Sequence, residues 1–264
     1  MTGKPKGSVV VQPDGWSGLR RFTDARIALG RAGSGLPTAA HLAFQAAHAQ
    51  ARDAVHVPLD VPALLADIAA QGWESVAVAS AAPDRATYLK RPDLGRRLSA
   101  DGETRLSEPA AAPDVVLVVA DGLSSTAVSA NAVAVLAALI PRLAAAGRRI
   151  GPIVVATQAR VALGDPIGAI LQARASVVLV GERPGLSAAD SLGLYLTWMP
   201  RPGRVDSERN CISNIRSGGT SPDAAAEQAA ALLAAMFAEQ RSGVALGARV
   251  ATAAALAAGP PDPA

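Results

Sequence analysis

The central part of the chain alternates short apolar runs with longer alanine-rich stretches. The apolar runs have the length of buried strands, and the stretches between the later ones have the length of helices. The predicted strands are 76–79, 115–119, 153–156, 177–180 and 193–198, and the predicted helices between them are 126–146 and 165–173. Strands and helices that alternate with short connections are typical of parallel sheets with right-handed crossovers. The pattern predicts an α/β fold with a Rossmann-like parallel sheet flanked by helices.

Helical patterns also occur towards both ends of the chain. The predicted N-terminal helices are 25–29, 38–57 and 61–70, and the predicted C-terminal helix is 222–240. Ser221 is suited to cap this last helix, with Pro222 at its first position. The charged, proline-broken segment 84–113 is expected to be a hairpin or an irregular excursion.

These elements predict four regions along the chain. Residues 1–20 are predicted to be a loosely ordered arm and residues 21–72 a small helical domain. Residues 73–246 are predicted to form a Rossmann-like domain, and residues 247–264 a tail.

Composition and charge exclude several classes of protein. Of 264 residues, 50% are hydrophobic, which indicates a globular chain, and the net charge of +3 gives no reason to expect a nucleic-acid partner. The longest apolar run, 132–140, is well short of the roughly 20 residues that a bilayer needs, so no membrane is expected. The first residues lack the apolar stretch of a secretory signal. The single cysteine, Cys211, cannot form an internal disulfide, which favours a reducing compartment.

Ligands of open parallel sheets bind at the carboxyl ends of the strands, where the loops diverge. Three loops qualify here, 121–125, 157–165 and 181–187. Arg160 or Arg183 could contact a phosphate or an amide-rich ligand. The alternative is structural: Asp121 and Asp165 would cap helices, and the glycines would turn the chain.

Several catalytic motifs do not occur in the sequence. Gly30, Gly33 and Gly35 have the wrong spacing for a dinucleotide fingerprint, and neither a P-loop nor a G-x-S-x-G elbow is present. The three histidines, all within 41–56, are spaced for a helix surface or a subunit contact rather than for a metal site. No general base is expected at the ligand end of the sheet, so no catalytic residue and no metal ligand are predicted.

The segment 209–216 contains more hydrogen-bond donors than a core strand tolerates, which implies a ligand or a partner chain. Cys211 within it could be a nucleophile. The alternative, favoured because no histidine is near it in the sequence, is that Cys211 packs or lines a ligand wall.

Long stretches in a fixed order indicate a family. They include Gly181-Glu-Arg-Pro-Gly-Leu-Ser187 and Arg209-Asn-Cys-Ile-Ser-Asn-Ile-Arg216. The others are 22–33, 44–56, 119–124 and 190–197. Over about residues 16–246 the chain resembles the small (light) subunit of ethanolamine ammonia-lyase, an adenosylcobalamin-dependent enzyme. The arm before Trp16 and the tail after about Gly247 depart from the family pattern.

The resemblance implies a subunit that is inactive alone. In the family, a large TIM-barrel subunit holds ethanolamine and the catalytic residues, and the two subunits form a hetero-oligomer. Homolysis of the cobalt–carbon bond gives a radical that abstracts hydrogen from ethanolamine, and migration and elimination yield acetaldehyde and ammonia. The resemblance also implies a cytoplasmic enzyme, which many bacteria enclose in a protein-shelled microcompartment.

The family's cofactor contacts carry over to three residues of this chain, Val161, Glu182 and Cys211. Val161 would make apolar or backbone contact, Glu182 would accept from a corrin amide, and Cys211 would line the pocket. Asp121 and Ser124 are additional candidates. The sequence has no D-x-H-x-x-G motif, so the cofactor is expected to keep its own dimethylbenzimidazole base as lower ligand.

Two other functions stay open at this point. A nucleotide-dependent oxidoreductase could use the same sheet, although the glycine spacing argues against it. A scaffold or interaction protein is consistent with the helical N-terminal part and the missing catalytic groups.

Overall fold

A computed structural model describes residues 11–106 and 111–249 of the chain. The α-helices are α1 (Thr38–His56), α2 (Val61–Ala70), α3 (Arg85–Lys90), α4 (Ala100–Arg105), α5 (Ser125–Ala145), α6 (Gly164–Ile170) and α7 (Pro222–Glu239). The strands are β1 (Ser75–Ala79), β2 (Val115–Ala120), β3 (Ile153–Thr157), β4 (Ala175–Gly181), β5 (Leu192–Trp198) and β6 (Arg209–Ile215).

The six strands form one mixed sheet in the order β1-β3-β2-β4-β5-β6. The first four strands are parallel, as the sequence predicts, whereas β5 and β6 are antiparallel to their neighbours. The prediction of a parallel, Rossmann-like sheet is therefore wrong for this end of the sheet. The connections 182–191 and 199–208 are shorter than the dozen or so residues that a parallel crossover needs, so the chain must turn back on itself.

The core lies on both faces of the sheet because successive strand residues point to opposite sides. Leu117 and Val119 of β2 pack on one side with α2, α5 and α7, whereas Val116 and Val118 pack on the other side with α6. Every residue of β2 is buried, which explains its unbroken apolar sequence.

Helix α5 is central to the first of these layers. The Ser124 hydroxyl caps it by accepting from the Ala127 N–H, and its buried side chains include Val135, Leu136 and Leu139. By length and composition alone α5 could cross a membrane. Its burial between the sheet and α7 identifies it as a core helix instead.

The N-terminal part agrees only partly with the sequence predictions. Helices α1 and α2 are confirmed. The helix predicted over 25–29 is wrong, since Ala28 and Gly30 have φ values of 51° and 76°, which no α-helix adopts. Leu64 and Ile68 of α2 pack into the α5 core, and the domain boundary at residue 72 stays a prediction.

The remaining predictions fall on segments of mixed structure. Within 84–113 the described residues form α3, α4 and a 3-10 helix rather than a hairpin, and 107–110 lie outside the described residues. Residues 244–249 are helical, with Leu246 buried, so the predicted tail begins within ordered structure. Residues 1–10 of the predicted arm and 250–264 of the predicted tail lie outside the described residues.

Candidate functional site

The carboxyl ends of β2, β3 and β4 lie at the same edge of the sheet, as expected for parallel strands. A cavity of about 400 Å³ opens at this edge. A smaller cavity of about 220 Å³ lies next to it, on the α6 side of β5 and β6. They share Arg160, Val161 and Tyr195, and together they are called the recess below. A larger depression of about 510 Å³ lies where β3 begins, and none of the predicted site residues lines it.

The recess brings together three residues that are far apart in the sequence. Val161 lines both cavities, Glu182 lines the larger one and Cys211 lines the smaller one. Asp121 and Ser124, the two additional candidates, line neither cavity. Both make structural contacts, Asp121 with the loop after β3 and Ser124 with the start of α5.

Asp121 holds the loop that carries Val161. Its buried carboxylate accepts hydrogen bonds from the N–H groups of Gln158 at 2.9 Å and Ala159 at 3.0 Å. Gln158 has a φ of 53°, an unfavourable conformation for a residue with a side chain, so the loop needs this support. Desolvation raises the pKa of the Asp121 carboxyl, and the two N–H groups oppose that shift. Asp121 therefore positions the loop and does not cap α5, which Ser124 does.

Glu182 directly follows β4 and folds back against the start of β5. The Ser191 hydroxyl donates to its Oε2 atom at 2.5 Å, and the Asn214 N–H donates to the same atom at 3.3 Å. Gly193 leaves room for this carboxylate, because a Cβ atom there would be 2.8 Å from Oε1. The carboxylate is half-buried and fixed at the wall of the larger cavity.

Tyr195 and Cys211 are direct neighbours across β5 and β6. Cys211 is exposed, whereas Tyr195 is half-buried. Desolvation, together with the negative charge of Glu182, raises the pKa of the Cys211 thiol, while a hydrogen bond with Tyr195 acts in the opposite direction. The position of Cys211 agrees with a lining role, and its raised pKa disfavours the nucleophile alternative.

The sequence reasoning missed Tyr195 and β6. In β5 the buried residues Leu192, Leu194 and Leu196 alternate with Gly193 and Tyr195, and that alternation could have placed Tyr195 on the opposite face. Strand β6 is at the edge of the sheet, where Ser213 and Asn214 are exposed, whereas Arg209 and Asn210 are buried.

Arg160 is held at the junction of the two cavities. Its guanidinium stacks on the ring of the fully buried Tyr88, with Cζ 4.5 Å from the ring centroid. The Tyr88 hydroxyl donates to the Ala159 carbonyl at 3.1 Å, and desolvation raises its pKa to about 12. Tyr88 was not predicted as a site residue, since nothing in its local sequence relates it to this loop.

Arg209 of β6, which lines the smaller cavity, is paired with Asp165 of α6. Two hydrogen bonds of 2.7 Å join their side chains, and both side chains are buried. The Thr197 hydroxyl accepts a third hydrogen bond from Arg209 at 2.9 Å. The structural alternative in which Asp165 caps a helix is therefore wrong, because Asp165 lies within α6 and its carboxylate is paired with Arg209.

The described residues contain no group of three or more His, Cys, Asp or Glu side chains arranged to hold a metal. His41, His48 and His56 are all exposed on α1, at the helix surface that their spacing predicts. Gly30 and Gly33 lie in an irregular segment before α1, not between a strand and a helix. The recess thus offers a carboxylate, guanidinium groups, a thiol and apolar surface for binding.

Comparison with known proteins gives consistent results. The family profile described as "Ethanolamine ammonia-lyase light chain (EutC)" matches residues 13–247. Three similar proteins are each named "Ethanolamine ammonia-lyase small subunit". The protein from Ralstonia nicotianae is 50% identical over 235 residues, 88% of this chain and 87% of the relative. The protein from Azotobacter vinelandii is 51% identical, and the one from Xanthomonas campestris pv. campestris strain B100 is 52% identical. Each alignment again covers 88% of this chain and 87% of the relative.

Proposed function

The chain belongs to the ethanolamine ammonia-lyase light-chain family, and from this premise we propose that it works as the small subunit of an adenosylcobalamin-dependent lyase. The enzyme would convert ethanolamine to acetaldehyde and ammonia. This chain would bind part of the cofactor, and a large TIM-barrel subunit would carry the catalytic residues.

The observation that carries the proposal is the meeting of Val161, Glu182 and Cys211 at one recess. These residues come from the loop after β3, the end of β4 and the edge strand β6. A concave recess to which three separate segments contribute side chains is typical of a binding site.

The residues of the recess fit the chemistry of the cofactor. The rim of a corrin ring carries amide side chains, which donate and accept hydrogen bonds. The fixed Glu182 carboxylate can accept from such an amide, and Val161 offers apolar contact. Arg160 lies at the junction of the two cavities without a carboxylate partner among the described residues, so its guanidinium is available to a polar group of the ligand.

Bound adenosylcobalamin would supply the radical chemistry of the reaction. The part of this chain is to hold and orient one portion of the cofactor and to exclude water from it.

A permanent partner also agrees with the surface of the N-terminal part. Several large apolar side chains of this part are exposed, among them Trp16, Phe22, Leu36 and Leu42. Such a concentration is typical of protein interfaces. We assign this surface to contact with the large subunit.

We place the enzyme in the cytoplasm, where its single cysteine stays reduced. Enclosure in a protein-shelled microcompartment is a further part of the proposal.

Release of ammonia from ethanolamine tests the subunit assignment. With adenosylcobalamin present, this chain alone and the cognate large subunit alone should be inactive, and the mixture should be active. An inactive mixture of two folded subunits would refute the assignment.

Cofactor affinity of the assembled enzyme tests the recess. Glu182→Lys and Cys211→Trp should each weaken cobalamin binding, whereas Glu227→Lys, at an exposed position on α7, should not. Affinities equal to that of the unmodified enzyme would instead support a scaffold role for this chain.

A further inference from the structure

Arg160 has the features of a preorganised anion-binding cation. The ring of Tyr88 lies against its guanidinium, and its backbone N–H donates to the Gly95 carbonyl at 2.8 Å. A Cβ atom on Gly95 would be 2.9 Å from Cγ of Arg160, so the side chain occupies space that only glycine leaves free. The guanidinium is thus fixed before any ligand binds, which lowers the entropic cost of binding.

No carboxylate neutralises this cation within the described part of the chain. The one hydrogen bond of its guanidinium is a long contact of 3.4 Å from Nη2 to the Tyr88 carbonyl, and its buried Nε–H has no acceptor there. A buried guanidinium N–H without a partner is costly. The Nε atom is closed off from the recess, so the feature available to a ligand is the cation as a whole, which lines both cavities without a carboxylate partner among the described residues.

The surroundings of Arg160 add positive charge. Arg96 follows Gly95 and lines the smaller cavity with Arg160, and within the described residues its side chain has no ion pair or hydrogen bond. Arg209 lines the same cavity but is already paired with Asp165. The carboxylate of Asp206 also faces this cavity, almost fully exposed and 3.6 Å from Arg209. Glu182, in the larger cavity, is held by Ser191.

We propose that Arg160, with Arg96 beside it, binds the phosphate group in the nucleotide tail of cobalamin. This inference rests on the proposed cofactor role of the recess and adds the part of the ligand that the arginines recognise. The guanidinium fork pairs with two oxygens of a phosphate at once, and that geometry favours arginine over lysine. The corrin amides are neutral and would leave the charge of Arg160 without a counter-ion.

A series of three ligands separates the phosphate from the rest of the cofactor. Cobinamide lacks the nucleotide tail, cobinamide phosphate has the phosphate alone, and cyanocobalamin has the complete tail. Binding of each to the assembled two-subunit complex is measured by titration calorimetry or by the change in corrin absorbance, with no turnover involved. The unmodified complex should bind cobinamide phosphate more tightly than cobinamide.

In Arg160→Gln, affinity for the two phosphate-bearing ligands should fall by about 10- to 100-fold, the range for a hydrogen bond to a charged group. Affinity for cobinamide should change by less than about twofold. Arg160→Lys should recover part of the loss, since it keeps the charge but not the fork. Arg105→Gln is the matched control, because Arg105 is exposed and, among the residues that the structure describes, is paired with Asp101 on α4.

Two results would overturn the proposal. An equal loss for all three ligands would mean that Arg160 supports the corrin or the subunit contact, and no loss would mean that it contacts no ligand. If Arg160→Gln does not assemble, the exposed Arg96→Gln carries the same test, with a selective loss expected for phosphate-bearing ligands.

Competition with inorganic phosphate distinguishes the phosphate of cobalamin from a free anion. Inorganic phosphate should compete with cobalamin but not with cobinamide. If phosphate bound equally well with and without bound cobalamin, the arginines would be a site for a free anion and the proposal would be overturned. A complex that binds none of the three corrin ligands would instead refute the proposed cofactor role itself.

Discussion

Asp165 of α6 and Arg209 of β6, which lines the smaller cavity, are joined by two hydrogen bonds of 2.7 Å. Their side chains are 3% and 2% exposed, so the pair is almost completely removed from water. A third side chain, Thr197 on β5, accepts from the same guanidinium. The pair therefore ties the last antiparallel strands of the sheet to the helix that follows β3.

Loss of one partner of this pair should be strongly destabilising. Arg209→Met leaves a buried carboxylate without its counter-ion, and the free energy of unfolding should fall by about 3–5 kcal/mol. Chemical denaturation measures the change. Arg105→Gln, which removes an exposed pair with Asp101, should cost about 1 kcal/mol or less.

The double variant Asp165→Leu with Arg209→Met distinguishes burial from pairing. Removing both charges should restore part of the lost stability, because no buried charge is then left alone. If the double variant were as unstable as the sum of the single ones, the two side chains would act independently and the pair would not explain the effect.

The Asp121 carboxylate holds the loop that carries Arg160 and Val161, and we expect its loss to affect both stability and cobalamin binding. Asp121→Ala leaves the N–H groups of Gln158 and Ala159 without their acceptor, which should lower the free energy of unfolding by about 2–4 kcal/mol. Cobalamin affinity of the complex should fall as well, since the loop loses its support. Denaturation and ligand titration measure the two effects.

Asp121→Asn refines this prediction. The two N–H groups donate to different oxygens of Asp121, and asparagine keeps only one of these oxygens as an acceptor, so both effects should be intermediate. A variant that is destabilised but binds cobalamin normally would show that the loop position does not depend on Asp121.

Three of the four parallel strands, β2, β3 and β4, were predictable because they are buried on both faces and read as apolar runs. The reversal at β5 and β6 follows from connections too short for a parallel crossover, whereas the apolar runs by themselves do not show strand direction. Strand β6 has a different problem. Ile212 and Ile215 both face the core although they are three residues apart, because the register shifts between them, and the alternation that marks a strand is lost.

Some residues of the candidate site could be predicted from the sequence, and others could not. Val161, Glu182 and Cys211 follow from a family resemblance that spans long stretches of the sequence, and the structure brings them to one recess. Tyr88 could not be predicted, because its contact with Arg160 joins segments that only the fold brings together. Long-range packing of this kind leaves no pattern in a single sequence.

Gly193 gives a way to move Glu182 without changing it. A Cβ atom at this position would be 2.8 Å from Oε1 of Glu182 and 3.2 Å from the Tyr195 ring. Gly193→Ala should therefore displace the carboxylate and weaken cobalamin binding on the order of tenfold, the effect of losing one charged hydrogen bond. Ligand titration of the assembled complex measures it.

The stability of Gly193→Ala should stay within about 1 kcal/mol of the unmodified chain, because the smaller entropy of the unfolded state offsets the crowding. Gly35→Ala is the control, since the nearest atom to its Cβ would be 3.8 Å away. Unchanged cobalamin affinity in Gly193→Ala would contradict the role given to the Glu182 carboxylate.

The Cys211 thiol should react slowly for an exposed cysteine. Alkylation requires the thiolate, and the pKa of this thiol is raised by desolvation and by the charge of Glu182. In the enzyme without cofactor, the pH at which iodoacetamide alkylation reaches half its maximal rate should lie above about 8.5, the value of a free cysteine side chain. Below that pH the raised pKa leaves less thiolate, so the rate at pH 8 should be lower than that of a free thiol.

Two variants should move this midpoint in opposite directions. Glu182→Gln removes a negative charge that disfavours the thiolate, so its midpoint should fall and its alkylation at pH 8 should be faster. Tyr195→Phe removes the hydrogen bond that stabilises the thiolate, so its midpoint should rise. Shifts of the same sign in both variants would mean that a general loosening of the recess, rather than these two contacts, controls the reactivity of Cys211.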